Sequence, residues 1–539
     1  MTSAKRLAVL GSAVALVATT AAGCASATKA VTGGSASGPI TMGTVNTTTV
    51  LDPAGAYDSG SWLLFNNVFQ SLLKFPEGAT SPQPDAAKSC SFTGSDALTY
   101  ECTLRDGLKF SNGHSLTSED VVFSVQRMLK IKDANGPATL LSTIKSVEAK
   151  GDTGVVFHLK TPDAVLPAKL ASAAGSIVDH QVFPADQLLP NDKVVGSGPY
   201  KIDSIEDMAG NDSHALGKVT LSANSQFGGD AKLQNNKFAV RFYEKAEDIK
   251  TALDKGDLDL VDNNSLDPTV AAKLQSDQLA GKSDYKVAEG DSGESRFLAF
   301  NTKDSTVSNR AVRQAVAQLV DRKALAGNVY AQTVQPLYSL VPAGITGHST
   351  AFFDKYRDPD VTKAKKYLTD GKVQTPVPIK LNIASSRSRA GDREINEIKR
   401  ELEDGGLFQV TLQQENDFKK YQEGWSAGAY QAYLVSWTPD YPDPDDFVSP
   451  LLIDGGVFHT GWDDPKISQQ LAPDSIKQTD RTAGGNYAQI QNMVADSAPL
   501  IPLFQSKSFY VSRNNITGVE NTVDTTGVFR FWDIGRLKK

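Results

Sequence analysis

The stretch YECTLRDGLKFSNGHSLTSEDVVFSVQRM, residues 100–128, decides how the rest of the chain is read. It begins in one arm of a β-hairpin and ends in an amphipathic helix. Thr117 and Asp120 have the spacing of a capping box, which satisfies orphan amides at a helix start. Val121, Val122, Val125, Met128 and Leu129 then fall on one helical face. Just upstream, residues 89–102 read SCSFTGSDALTYEC, with the turn cluster Gly94-Ser95-Asp96 between two β-prone arms. A hairpin centred on Asp96 sets Phe92 opposite Tyr100 and Cys90 opposite Cys102.

The N-terminus tells where these cysteines reside. Lys5 and Arg6 precede the apolar run LAVLGSAVALVAT at 7–19, which has the length of a signal h-region and is too short to span a bilayer. Ala21-Ala22-Gly23-Cys24 follows and resembles a bacterial lipobox, with Ala21 where leucine is commoner. That resemblance implies cleavage after residue 23 and lipid attachment at Cys24, where two acyl chains would anchor stably. The alternative is an ordinary secretory signal with an incidental cysteine. Residues 24–38, rich in small residues, read as a flexible tether. An exported chain with two facing cysteines predicts a Cys90–Cys102 disulfide; the alternative is a pair of reduced thiols.

Composition narrows the function classes. The chain has 539 residues, enough for roughly three or four domains, and 40% hydrophobics, ample for a large core. Its formal charge of −7 argues against nucleic acid, whose phosphates require a basic face. The six histidines are isolated in sequence, so a metal site would have to be assembled by the fold. The G-x-S-x-G elbow and the H-E-x-x-H motif are absent, and Gly196-Ser197-Gly198-Pro199-Tyr200 is neither a dinucleotide fingerprint nor a P-loop. No catalytic activity, cofactor or metal is expected.

Elsewhere helix and strand signals alternate, which favours α/β lobes. Strands are expected at 154–160, 200–205, 296–301, 379–383, 409–413, 430–437 and 500–504, with Leu258 and Leu260 alternating after a helix that stops at Gly256. Helices are expected from Asn309, over 394–404, and around Ile490, Met493 and Val494. The densest polar feature is Asp440-Tyr441-Pro442-Asp443-Pro444-Asp445-Asp446. Alternating carboxylates suggest calcium, but the EF-hand glycine is missing. The run reads either as a carboxylate rim that meets a ligand ammonium or as a solvated acidic turn.

Seven segments, in order, carry a resemblance: LDP at 51–53, the 100–128 stretch, GSGPYKI at 196–202, LDKGDLDLVD at 253–262, FLAFNTKDSTVSNRAVRQAVAQLVDR at 297–322, SWTPDYPDPDDF at 436–447 and APLIPLF at 498–504. Together they resemble the family 5 solute-binding proteins of ATP-binding-cassette importers, the oligopeptide- and dipeptide-binding lipoproteins. The resemblance implies a two-lobed, periplasmic-binding-protein-like α/β fold of the Venus-flytrap kind, with an extra subdomain inserted in one lobe. The main lobe would comprise 39–77, 188–290 and 506–539, the inserted subdomain 78–187, and the second lobe 291–505.

In peptide-binding members an aspartate of the matching segment meets the peptide's α-ammonium, which implies that role for Asp440, with Trp437 as a pocket wall. Ser436, in place of the family's glycine, and Thr438 would present main chain to an extended peptide. Asp58, Ser59 and Gly60 resemble the matching edge of the opposite lobe. Arg387 and Arg389, in SSRSRAGDR at 385–393, stand near where dipeptide binders hold a carboxylate. The implied partners are a peptide ligand and membrane permease subunits, with the protein acting as an extracytoplasmic monomer. Other members carry oligosaccharides, opines, haem or nickel complexes, so another small polar ligand is the alternative. A lipid-anchored hydrolase is a further one.

Overall fold

The computed structural model describes residues 38–46, 48, 50–208, 215–384, 390–453 and 456–537. Its backbone is one long mixed sheet, and each end carries its own apolar core. From one edge the strands run Phe408–Glu415, Val377–Ala384, Ala432–Trp437, Tyr285–Phe300, Leu500–Arg513, Leu260–Val261, Ile40–Thr44, Lys237–Phe242, Leu216–Ala223 and Tyr200–Asp207. Val334–Pro336 pairs beside them on Leu500–Arg513. Parallel pairs occur at both ends, where helices return the chain over the sheet, as parallel connections require.

Two strands belong to both ends. Tyr285–Phe300 and Leu500–Arg513 pair antiparallel from Tyr285 opposite Arg513 to Ala299 opposite Leu500, with the ladder broken between Asp291 and Ser295. The sequence reading found only 296–301 and 500–504. Upstream of Arg296 the residues are mixed polar with Gly290 and Gly293, and alternation is lost where a strand passes between two cores. One core gathers Phe297, Val316, Phe352, Ile395, Tyr433 and Ile501. The other gathers Met42, Phe65, Tyr200, Phe238 and Phe531.

A separate four-stranded sheet, in the order Ala87–Phe92, Thr99–Leu104, Gly154–Leu159, Ile144–Lys150, has a core of its own around Phe110, Val125 and Phe157. Helix Ser118–Ile131 packs over it, and both halves of the Thr117/Asp120 capping box form. Cys90 sits opposite Cys102 and Phe92 opposite Tyr100, and the two cysteines are bonded. Arg127 of that helix forks onto Asp52, Nη1 to Oδ1 at 2.8 Å and Nη2 to Oδ2 at 2.6 Å, with both side chains buried. The pair fastens this sheet to the Ile40–Thr44 half of the molecule.

Local stops follow their residues. Helix Ala246–Lys255 ends on Gly256 at φ 91°, a left-handed position that glycine adopts without strain. Helix Arg310–Leu319 is capped by Asn309. The helix expected over 394–404 spans Ala390–Glu403, so it starts a turn earlier and takes in part of the polar stretch. Leu258 is buried without joining a strand, because only Leu260–Val261 pairs with Ile40–Thr44. No described helix is long and apolar enough to cross a membrane.

Candidate functional site

The strand Ala432–Trp437 is buried through Val435 and then surfaces: Ser436 and Thr438 are exposed, while Trp437 and Asp440 are half-buried. The acidic run behind it is no solvated turn. Asp443, Asp445 and Asp446 are all buried, because prolines 442 and 444 fold the segment back under Trp437. Asp446 Oδ2 accepts from Trp437 Nε1 at 3.2 Å and from the Asp440 amide at 2.9 Å. Asp443 pairs with Arg481, which donates from Nε at 2.9 Å and from Nη2 at 2.7 Å. Tyr441 inserts into the core of the four-stranded sheet.

Asp440 and Asp446 form a carboxyl pair. Burial pushes Asp440 up to about 7, opposed by hydrogen bonds from Tyr57 and from the Asp446 side chain. Burial and the Asp440 charge hold Asp446 well above the usual carboxylate range. Asp445 is pushed up to about 6 by burial, with Lys169 opposing. Two carboxyls this close cannot both ionise cheaply. Among the described residues no lysine, arginine or histidine forms an ion pair with Asp440 or Asp446.

The opposite wall comes from helix Ser59–Val68. Asp58 caps that helix, accepting from the Ser61 amide at 2.8 Å and hydroxyl at 2.9 Å, so its carboxylate is engaged locally. Ser59 is exposed and Gly60 buried. The residue that reaches across is Tyr57, whose hydroxyl donates to Asp440. Its ring stacks on Trp62 with centroids 5.3 Å apart. Sequence reasoning missed Tyr57, although it adjoins Asp58. It named Asp446 only as part of the acidic run, since its burial shows only once the prolines bend the run.

Below Ser436 opens a cavity of about 470 Å³, within the range of small-molecule sites. Its walls come from both ends of the long sheet, including Leu266, Pro268 and Phe509 on one side and Tyr330, Glu394 and Phe418 on the other. Arg296 forks onto Glu394, Nε to Oε1 at 3.0 Å and Nη2 to Oε2 at 2.8 Å, and its Nη1 donates to Ser436 Oγ at 3.3 Å. Arg387, Arg389 and Cys24 lie outside the described residues.

One cluster has the composition of a metal site. Asp120, Asp179 and His180 bring ligand atoms within 4.8 Å of one another. Their oxygens are already engaged: Asp120 accepts from His180 Nδ1 at 2.7 Å and from the Thr117 amide, and Asp179 from Asn112 Nδ2 at 2.8 Å and the Gln181 amide. The cluster acts as a clamp between the helix start and the 179–181 turn.

With this geometry in hand, comparison with known proteins places the chain. The family model for bacterial extracellular solute-binding proteins, family 5 Middle, matches residues 81–458. The chain is 25% identical over 509 residues to di/tripeptide-binding protein 2 of Pseudomonas aeruginosa, covering 86% of this chain and 87% of that one. It is 26% identical over 483 residues to heme-binding protein A of Haemophilus influenzae, covering 82% of each. Its structure is similar to Helicobacter pylori DppA in complex with the peptide STSA, with a TM-score of 0.76 and 22% identity over 93% of this chain and 98% of that one. The fold is the two-lobed α/β fold of periplasmic binding proteins. The chain belongs to the bacterial extracellular solute-binding proteins of family 5.

Proposed function

We propose that the protein is an extracytoplasmic lipoprotein, tethered to the cell membrane through Cys24, that captures short peptides between its lobes and delivers them to an ATP-binding-cassette permease. The lobes divide as 39–77 with 188–290 and 506–539, against 291–505, with 78–187 inserted in the first. One observation supports the peptide reading above others. Asp440 and Asp446 form a carboxyl pair, at the mouth between two walls, that no cation among the described residues pairs with. A peptide's α-ammonium supplies the missing charge and takes over the bond that Tyr57 makes. Trp437 walls the ligand, and the surfacing strand at Ser436 and Thr438 offers main-chain groups to an extended backbone, which gives affinity with little demand on side chains. The Asp58 carboxylate is committed to its helix, so on the opposite wall Ser59 and the backbone at Gly60 remain for contact. Arg387 and Arg389 are assigned to the peptide carboxylate, whose planar geometry suits a guanidinium.

A thermal-shift screen tests this. Tri- and tetrapeptides raise the melting temperature, as any ligand of the native state alone must, and the same peptides N-acetylated do not. If no peptide shifts it, or if acetylation is without effect, the ammonium assignment fails. Mass spectrometry of co-purified ligand would then identify the true solute.

A further inference from the structure

The cavity below Ser436 is charged unevenly. Of the described residues lining it, three carry charge: Glu294, Arg296 and Glu394. Arg296 and Glu394 neutralise each other through their two-pronged contact, and Tyr330 Oη adds a hydrogen bond to Glu394 Oε2 at 3.1 Å. Glu294 is left over. It sits where the ladder between Tyr285–Phe300 and Leu500–Arg513 is broken, so its side chain faces the cavity wall. Its hydrogen-bond partners are neutral, Ser506 and Asn264, and Arg296 acts on it only at a distance. Burial holds its carboxyl above the usual range. The remaining lining mixes neutral polar groups, among them Thr333 and Ser436, with an apolar share from Leu266, Val334, Ile383, Phe418 and Phe504 that suits an aliphatic stem. A partly apolar cavity ending at a carboxylate that forms no ion pair among the described residues matches a lysine or arginine side chain, whose methylenes pack while the cationic head seeks a counter-charge.

We propose that this cavity is a side-chain pocket selecting peptides with a lysine or arginine near the N-terminus, with Glu294 as the specificity-determining residue. This rests on the peptide reading of the Asp440 site. Ser436 lines the cavity and lies four residues before Asp440, a span of at most about 14 Å of extended chain. A peptide whose ammonium meets Asp440 therefore delivers a side chain to the cavity within about its first four residues.

The test is a calorimetric scan of tetra-alanine with lysine, norleucine or glutamate placed at each position in turn. At one position lysine binds about tenfold or more tighter than norleucine, and glutamate binds weakest. In Glu294→Gln the ratio of norleucine to lysine Kd at that position collapses towards one, a change that a general folding defect would not produce. The wild-type scan stands alone should the variant fold poorly. Peptides that bind with no positional preference for lysine overturn the pocket and leave the Asp440 site intact. A series in which nothing binds overturns both.

Discussion

The Tyr57 hydroxyl donates to the Asp440 carboxylate across 383 positions of sequence, joining the start of helix Ser59–Val68 to the end of strand Ala432–Trp437. The carboxylate named from the sequence is thus already engaged, by a neutral donor that any cation must displace. Replacing a hydroxyl by an ammonium on a half-buried carboxylate is favourable because the charge-assisted bond is the stronger. Asp440→Ala should therefore weaken peptide binding about 30-fold or more, near 2 kcal/mol, by calorimetry. Unchanged affinity would remove Asp440 from the site.

The same pair sets a pH dependence. Asp440 is held at about 7 in the folded protein against an ordinary value of 3.8. A carboxyl raised on folding keeps its proton better in the native state. Its stabilising contribution is full below about pH 4 and is lost as pH rises through 7. The ligand-free melting temperature should fall between pH 5 and 8, and Asp440→Asn should flatten part of that fall. Peptide binding near pH 6.5 should release protons, seen as a binding enthalpy that varies with the ionisation enthalpy of the buffer. A melting temperature that rises over this range would contradict the assignment.

The buried fork between Asp52 and Arg127 gives a stability prediction. Removing one partner leaves an uncompensated charge in the interior, so Arg127→Met should destabilise by about 3–5 kcal/mol. Adding Asp52→Asn should restore part of that, since the orphaned carboxylate is then gone. Denaturant unfolding of the two variants and their combination reads this directly. Equal losses in single and double variants would mean that Arg127 acts only through its carbonyl contacts at Pro184 and Gln187.

The Cys90–Cys102 bond closes a separation of 12 residues. On the chain-entropy model a loop of this size contributes about 3 kcal/mol. Cys90→Ser with Cys102→Ser should lower the melting temperature by several degrees, with the loss confined to the four-stranded sheet in hydrogen exchange. Exchange that rises equally in the distant strand Phe408–Glu415 would refute that confinement.

What the sequence disclosed depended on how local the physics was. The capping box at Thr117 and Asp120 and the Cys90–Cys102 register rest on contacts no more than 12 residues apart, and both were legible. Asp440 was singled out because its segment resembles a motif of the family. Tyr57 was not, because its partner lies at the far end of the chain. The halves of Tyr285–Phe300 and Leu500–Arg513 that cross between cores were missed because neither face there is uniformly apolar. The burial of Asp443, Asp445 and Asp446 was hidden for a related reason: a run of carboxylates looks solvated until Arg481, Ser449 and the Trp437 indole are seen around it.

Tyr441 anchors the 440–446 segment. It directly follows Asp440, yet its ring is only 3% exposed, among the residues that cover the four-stranded sheet. For the 440–446 segment to swing away from Tyr57 on its own, that ring has to leave its socket. Exposing a buried aromatic side chain costs about 2–3 kcal/mol, and the Arg481 and Trp437 contacts of the segment add to that, so at most on the order of 1% of unliganded molecules stand open by that route at any instant. On the proposed function, an arriving solute meets a door that is usually shut, and part of its binding energy goes into holding that door in whichever state the bound complex needs.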